Sequence, residues 1–513
     1  MSYILTLDVG TTNIKAFLID ENANIVAQAK RRPRYITDEP GQVEQDPLEI
    51  WYFSKEVMEE VIASKNLKAS DINSIAVSTQ RASFMMWDKI TGEIYSNIIT
   101  WQDNRAAKFA KKKTKKLFFR IIRAVGKIAR LFGSMKMLVA SMLRFPTDYA
   151  SIRTAFFLEN HLKLKKMIKD PETTVAWGQI DSWLLWNLTE GKVHATDFSN
   201  ASMSAMLDPF LMKWNTMIMK HLGLHSHFLP EIKETNAEFG STNLFGGGDI
   251  PIRCLVADQQ ASLFGLGCFN QGDMKVTNGT GSFIDINTGQ KPFASKRRLY
   301  PLIAWKIDGQ LTYMLEGFSH NTGSIIEWVQ KELGLYDSPE MTERMALSVK
   351  STEGVYFLPT LSTGLSYPYW DSSARGNIFG INLTTKKAHI VRAILEGICF
   401  RIKDLVDGIL KDTKLKVNTL KTDGGVSQND FFLQFLSDML DAEIQRPNQL
   451  ETTALGAAFF AGLATGFWES KEEIFKMISI EKSFYPSIKD KERKTRYKFW
   501  KDIIIRSLNY ENT

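Results

Sequence analysis

Two stretches of this 513-residue chain share one grammar, and a chain that repeats it at half-length spacing must fold as two related halves. In the first, Asp8-Val9-Gly10-Thr11-Thr12-Asn13 interrupts two apolar runs, Tyr3 to Leu7 and Ile14 to Ile19. Roughly 270 residues later, Asn278-Gly279-Thr280-Gly281-Ser282 separates Met274 to Thr277 from Phe283 to Ile286. Short apolar runs joined by Gly-Thr turns read as strand-turn-strand hairpins. Glycine takes a tight turn at no steric cost and leaves N–H groups bare to an anion, while threonine hydroxyls donate without adding bulk. Turn chemistry alone explains one such segment. A matched pair points to two hairpins that each face a phosphate.

The length exceeds what a single core supports, so two or three domains are expected, and 44% apolar residues suffice to fill their cores. No apolar run is long enough to span a bilayer, and because Met1 leads within two residues into the first strand, no signal peptide is expected. Cys254, Cys268 and Cys399 lack metal-ligand spacing and read as core residues of a protein in a reducing, cytoplasmic compartment. The net charge of +7 is local: residues 106–145 hold twelve Lys or Arg and no Asp or Glu, which leaves −5 for the remainder. A nucleic-acid binder would spread its charge more widely, so no nucleic-acid partner is expected.

Strand-like Ser74 to Ser78 and Ile98 to Trp101 alternate with a helical pattern over Leu48 to Ala63, which is α/β alternation. Ser151 to Leu222 turns more helical, and Gly246-Gly247-Gly248-Asp249 leads into a strand from Ile250 to Val256. This places the domain division between 1–256 and 257–513. Asp258 follows that strand at the boundary, where a carboxylate suits a base; on spacing alone an N-cap for a helix over Gln259 to Leu266 is the commoner explanation. Asp8 suits a hard cation such as Mg2+, with turn chemistry as the other reading. Thr422 to Asn429 presents bare backbone before a helix, either against an adenosine or as an ordinary strand-to-helix turn.

Taken in order, Asp8-Val9-Gly10-Thr11-Thr12, Trp101-Gln102-Asp103, Ile180-Asp181-Ser182-Trp183, Thr196 to Ser202, Ala257-Asp258-Gln259-Gln260, Asn278-Gly279-Thr280-Gly281, Pro368-Tyr369-Trp370-Asp371, Asp423-Gly424-Gly425 and Thr453 to Ala458 resemble the glycerol kinases of the FGGY carbohydrate kinase family. The resemblance runs from Tyr3 to Tyr510, and Ser78 to Phe84 with the basic insert are most like a divergent animal branch of it. It implies two ribonuclease H-like domains of the actin and hexokinase type around a central cleft, and transfer of the γ-phosphoryl of ATP to a polyol, glycerol first. By position it implies Asp258 as general base and Asp8 for Mg2+, with Thr11, Thr12, Lys15, Thr280, Gly323, Gly425 and Asn429 for ATP. Arg81, Trp101, Asp258, Gln259 and Phe283 fall at the polyol-contacting positions.

Three departures accompany it. Lys15 replaces an arginine, Ala82 replaces a glutamate, and Asp148 with Tyr149 stands where a single tyrosine is usual. Ala82 removes an acceptor for a substrate hydroxyl, and with Asp103 it keeps a kinase for another small polyol or ketose as an alternative. A weakly catalytic, nucleotide-dependent interaction protein is a further one. A homo-oligomer is left open. In the insert, Leu117 to Arg123 mixes apolar and basic residues at helical spacing. Such a segment either touches an anionic membrane surface weakly, or packs on the first domain with its lysines solvated.

Overall fold

A computed structural model describes residues 2–129, 135–361, 364–371 and 373–508. Arg130 of the basic insert and Tyr510 at the end of the family resemblance lie outside them. Two sheets carry the fold. The first contains β1 (Tyr3–Val9), β2 (Ile14–Ile19), β3 (Ile25–Arg31), β4 (Ile72–Thr79) and β5 (Ile250–Ala257) in the order β5-β4-β1-β2-β3, with Ser241–Thr242 at the β5 edge. The second contains β6 (Met274–Asn278), β7 (Ser282–Gly289), β8 (Tyr300–Ile307), β9 (Gln310–Ser319), β10 (Thr419–Asp423), β11 (Glu443–Pro447) and β12 (Ile480–Phe484) in the order β12-β11-β10-β6-β7-β9-β8.

The duplication is topological as well as local. β1 is antiparallel to β2 and parallel to β4; β6 is antiparallel to β7 and parallel to β10. Each parallel series then gains one more parallel strand, β5 or β11, and closes on an antiparallel edge. This is the ribonuclease H-like arrangement, present twice. Ile4 to Leu7 are buried on both faces of the first sheet, as central strands covered by helices on both sides require. One cover is α1 (Pro47–Ser64), started by Asp46, whose carboxylate accepts the Leu48 N–H at 2.8 Å, and by Pro47 at its first position.

The segment read as mainly helical, Ser151 to Leu222, also contains the strands Val175–Gln179, Ala195–Asp197, Leu207–Asp208 and Lys213–Trp214. Val175–Gln179 pairs with Phe84–Asp88 in a small side sheet, which makes it a strand despite the surrounding helices. Of the expected strand Ile98 to Trp101 only Ile98–Ile99 is extended and joins that sheet, and Trp101 sits in the turn beyond it. The basic insert forms α2 (Ala107–Thr114), α3 (Leu117–Ala129) and α4 (Met135–Ser141).

The halves interlock through α5 (Asp258–Gly265) and α6 (Thr452–Thr465). α6 comes from the second half yet packs on β1, β4 and β5, and α5 crosses it while touching β6 and β7. Gly265 and Gly456 meet at the crossing: a Cβ on Gly456 would overlap the Ala261 carbonyl, and one on Gly265 the Thr452 carbonyl. Backbone cannot swing aside as a side chain can. Gly456→Ala is therefore expected to cost about 1–3 kcal/mol, read as a lower thermal midpoint; an unchanged midpoint would show that the helices separate freely.

Candidate active site

The cleft begins at the β1–β2 turn. Gly10 N–H donates to the Asn13 carbonyl at 3.0 Å, which holds Thr11 and Thr12 at the tip, and the Trp101 indole N–H donates to Thr11 Oγ1 at 3.2 Å. Asp8 and Lys15 face each other across the hairpin. Lys15 Nζ does not point into bare space: it pairs with Glu451 at 2.7 Å, immediately before α6. Asp8 Oδ1 is buried with no hydrogen-bond partner. Burial pushes the Asp8 carboxyl up to about 7; Lys15 opposes this, while Glu451 and Asp258 add to it.

Asp258 stands on the other wall, as the first residue of α5. The N-cap itself is Ala257, so the capping role does not fall to Asp258, although its Oδ1 accepts the Gln259 N–H at 2.8 Å. Arg81 reaches across from the first half. Its Nε lies 3.4 Å from Asp258 Oδ1, and its Nη2 lies 2.6 Å from Glu316 Oε2 on β9. Burial raises the Asp258 carboxyl above the usual range, and Arg81 is the chief influence holding it down. Glu316 is fully buried and raised to about 8, again by burial against the pull of Arg81.

The remaining polyol positions close around this pair. The Arg81 guanidinium sits 6.0 Å from the Phe283 ring, and Trp101 meets Phe283 edge-on at 6.4 Å and stacks on His320 at 6.0 Å. Gln259 is oriented by Lys275, whose Nζ donates to Gln259 Oε1 at 2.6 Å while pairing with Asp285 at 2.8 Å, both charges fully buried. Ala82 is buried and offers no side-chain acceptor. At the tyrosine position Asp148 Oδ2 accepts the Tyr300 hydroxyl at 2.7 Å, and Tyr149 packs edge-on against Tyr300. Asp103 is spent on structure: it pairs with Arg105 at 2.7 Å and accepts the Val43 N–H at 3.1 Å.

The second hairpin forms the other lip. Gly323 N–H donates to the Gly279 carbonyl at 3.0 Å, and Ser324 N–H to that of Thr280 at 3.1 Å. Gly424, at φ 84°, lies against Asn278, where a Cβ would overlap the backbone, and Gly425 beside it has open space where a side chain would project. Thr280, Gly323 and Gly425 thus gather at one place. Asn429 is nearby in sequence, but its side chain is committed: Oδ1 accepts the Phe432 N–H at 2.9 Å and caps the helix Asp430–Leu440, while Nδ2 donates to Thr342.

Glu451, Glu316, Lys275 and Asp285 were not among the residues expected at the site. For the last three a signal existed: a charge inside an otherwise apolar strand needs a buried partner. Glu451 had only its place before the small-residue helix. Among the described residues no three His, Cys, Asp or Glu cluster as a complete metal site.

Residues 3–265 match the N-terminal domain of the FGGY family of carbohydrate kinases and residues 274–465 its C-terminal domain. The chain is 39% identical to glycerol kinase 5 of Danio rerio, covering 100% of this chain and 97% of that one. It is 38% identical to the glycerol kinase of Caldanaerobacter subterraneus, covering 99% of each. Among solved structures, Plasmodium falciparum glycerol kinase with ADP superposes at a TM-score of 0.86 with 31% identity, covering 99% of this chain and 98% of that one. The xylulose kinase of Lactobacillus acidophilus superposes at 0.82 with 22% identity, covering 99% and 97%, which speaks for the fold alone.

Proposed function

The chain belongs to the FGGY family of carbohydrate kinases and is a phosphotransferase with an alcohol acceptor, and from that premise we propose that it is an ATP-dependent glycerol kinase forming sn-glycerol 3-phosphate. The observation that carries this reading is the Arg81–Asp258 pair, 3.4 Å apart and walled by Trp101 and Phe283, opposite the Asp8 turn. In it, residues 1–256 form the polyol side and residues 257–513 the nucleotide side, with Asp258, Gln259 and Phe283 reaching the polyol from the second half.

Trp101 and Phe283 take the carbon chain, and Arg81 and Gln259 take hydroxyls. Asp258 accepts the proton of the hydroxyl whose oxygen bonds to the γ-phosphorus as the bond to ADP breaks. Glu316 positions Arg81 beside Asp258 by accepting from its Nη2 at 2.6 Å. Thr11, Thr12 and the Thr280 turn donate to phosphate oxygens, with Gly323 and Gly425 leaving room for the nucleotide. Lys15 serves as a point charge, without the fork of an arginine, once it exchanges Glu451 for phosphate.

Asp8 fits a divalent cation, because its buried Oδ1 lacks a partner and Mg2+ needs only one or two carboxylates beside phosphate and water. Bound there, Mg2+ would neutralise charge on the transferring phosphoryl group. Asp8 must be ionised to serve, and its carboxyl titrates near 7. The magnesium concentration for half-maximal rate should accordingly fall by about tenfold per pH unit on the acid side of that value and level off above it. Magnesium titrations across this range test it, and a flat dependence would remove Asp8 from the role.

Ala82 favours a second reading, a kinase for a different small polyol or ketose, while the carboxylate of Asp103 is taken up by Arg105. Calorimetric titration of glycerol and a panel of polyols and ketoses, with a non-hydrolysable ATP analogue, separates the two. Glycerol binding no tighter than the others would overturn the first.

A further inference from the structure

We propose that the outward face of α3 docks this protein reversibly on an anionic lipid surface. Leu117, Ile121, Val125 and Ile128 are 69%, 52%, 52% and 65% exposed. Their spacing of four, four and three residues puts them in one stripe along the helix. The opposite face is already occupied. Phe119 is buried against Phe145, with ring centroids 4.8 Å apart, Phe118 stacks on His221, and Gly126 lies against the backbone of Met137 and Ser141 in α4. Arg123 donates to the Thr114 carbonyl at 2.8 Å and to that of Leu143. The insert is thus anchored by one set of apolar residues while a second set faces solvent, so packing on the first domain does not account for the stripe.

The charge around the stripe selects its occupant. Arg120 and Lys127 are exposed along one edge, and Lys111, Lys112, Lys115 and Lys116 are exposed just before it. None of these six makes an ion pair with a described residue, and residues 106–145 contain no acidic side chain. Aliphatic side chains beside unpaired cations match an interface of acyl chains beneath anionic headgroups, which demands no shape complementarity. A second copy meeting the same face would bring these cations opposite each other. A protein partner would be expected to engage aromatic anchors, which this face lacks. Among the described residues no helix is long and apolar enough to cross a membrane, so the contact is a surface one.

The test is co-sedimentation of the full chain with vesicles of phosphatidylcholine alone or with phosphatidylserine making up about a third of the lipid. Binding to the anionic vesicles, little to the neutral ones, and a drop of about tenfold or more when salt rises well above physiological strength are expected. Ile121→Glu with Ile128→Glu should abolish binding with polyol phosphorylation and thermal midpoint unchanged. If that variant does not fold, Ile121→Trp supplies the readout, since its fluorescence should shift to the blue on anionic vesicles only. Equal partitioning to both vesicles, no binding at low salt, or undiminished binding of the glutamate variant each overturn the proposal. Poly-glutamate binding in the absence of vesicle binding would reassign the face to an acidic protein, and dimerisation abolished by the glutamate pair would reassign it to a second copy.

Discussion

Asp258→Asn should lower turnover by about 10²- to 10⁴-fold, the usual cost of losing a general base, with ADP and ATP affinity nearly unchanged. The substitution keeps the size of the side chain and an oxygen to accept the Gln259 N–H, so α5 should start as before. Arg81 loses one charge partner and retains Glu316 at 2.6 Å. What disappears is the site for the proton of the acceptor hydroxyl. A coupled ADP-release assay and nucleotide calorimetry on one preparation decide it. Near wild-type turnover excludes the role, and a parallel loss of nucleotide binding would mean that the cleft, not the base, had been damaged. In the wild type the acid limb of kcat/KM should lie above the ordinary carboxylate range, since burial raises Asp258 and the base works only when ionised.

Lys275→Met should destabilise the second half by about 3–5 kcal/mol, because Asp285 is left charged and fully buried with its cation gone. The denaturant midpoint reports this. Lys275→Met with Asp285→Leu should recover most of it, since an apolar pair fills the space without an orphan charge. KM for the polyol behaves differently: Lys275 also donates to Gln259, so both variants should raise KM even where stability returns. Recovery of stability and KM together would sever the link between this ion pair and the polyol side.

The hairpins were legible because their chemistry is local. Asp8-Val9-Gly10-Thr11-Thr12 and Asn278-Gly279-Thr280 make turns by steric rules acting within a few residues, and the strands follow from apolar runs. The start of α5 was legible only to within a residue, and Asp258 moved from the capping position to the first turn for that reason. Val175–Gln179 was not legible as a strand, because its partner Phe84–Asp88 lies in another part of the chain. Asn429 follows the Gly424-Gly425 turn in the chain, but its side chain serves the helix that comes after it, which its position alone did not reveal.

The sequence by itself determined a duplicated α/β chain with two glycine-threonine turns, a carboxylate at Asp8, another at Asp258, and one basic insert. All of these depend on residue type, short spacing or repetition. Tertiary structure decided which charges meet: Lys15 and Glu451 are 436 residues apart, and Arg81 and Glu316 are 235 apart. It decided that α6 leaves its own half to lie on the first sheet, where two glycines let backbones touch. It also decided which apolar residues of α3 turn inward and which remain in water. Helical periodicity places side chains on faces, but only the neighbouring elements settle which face is covered.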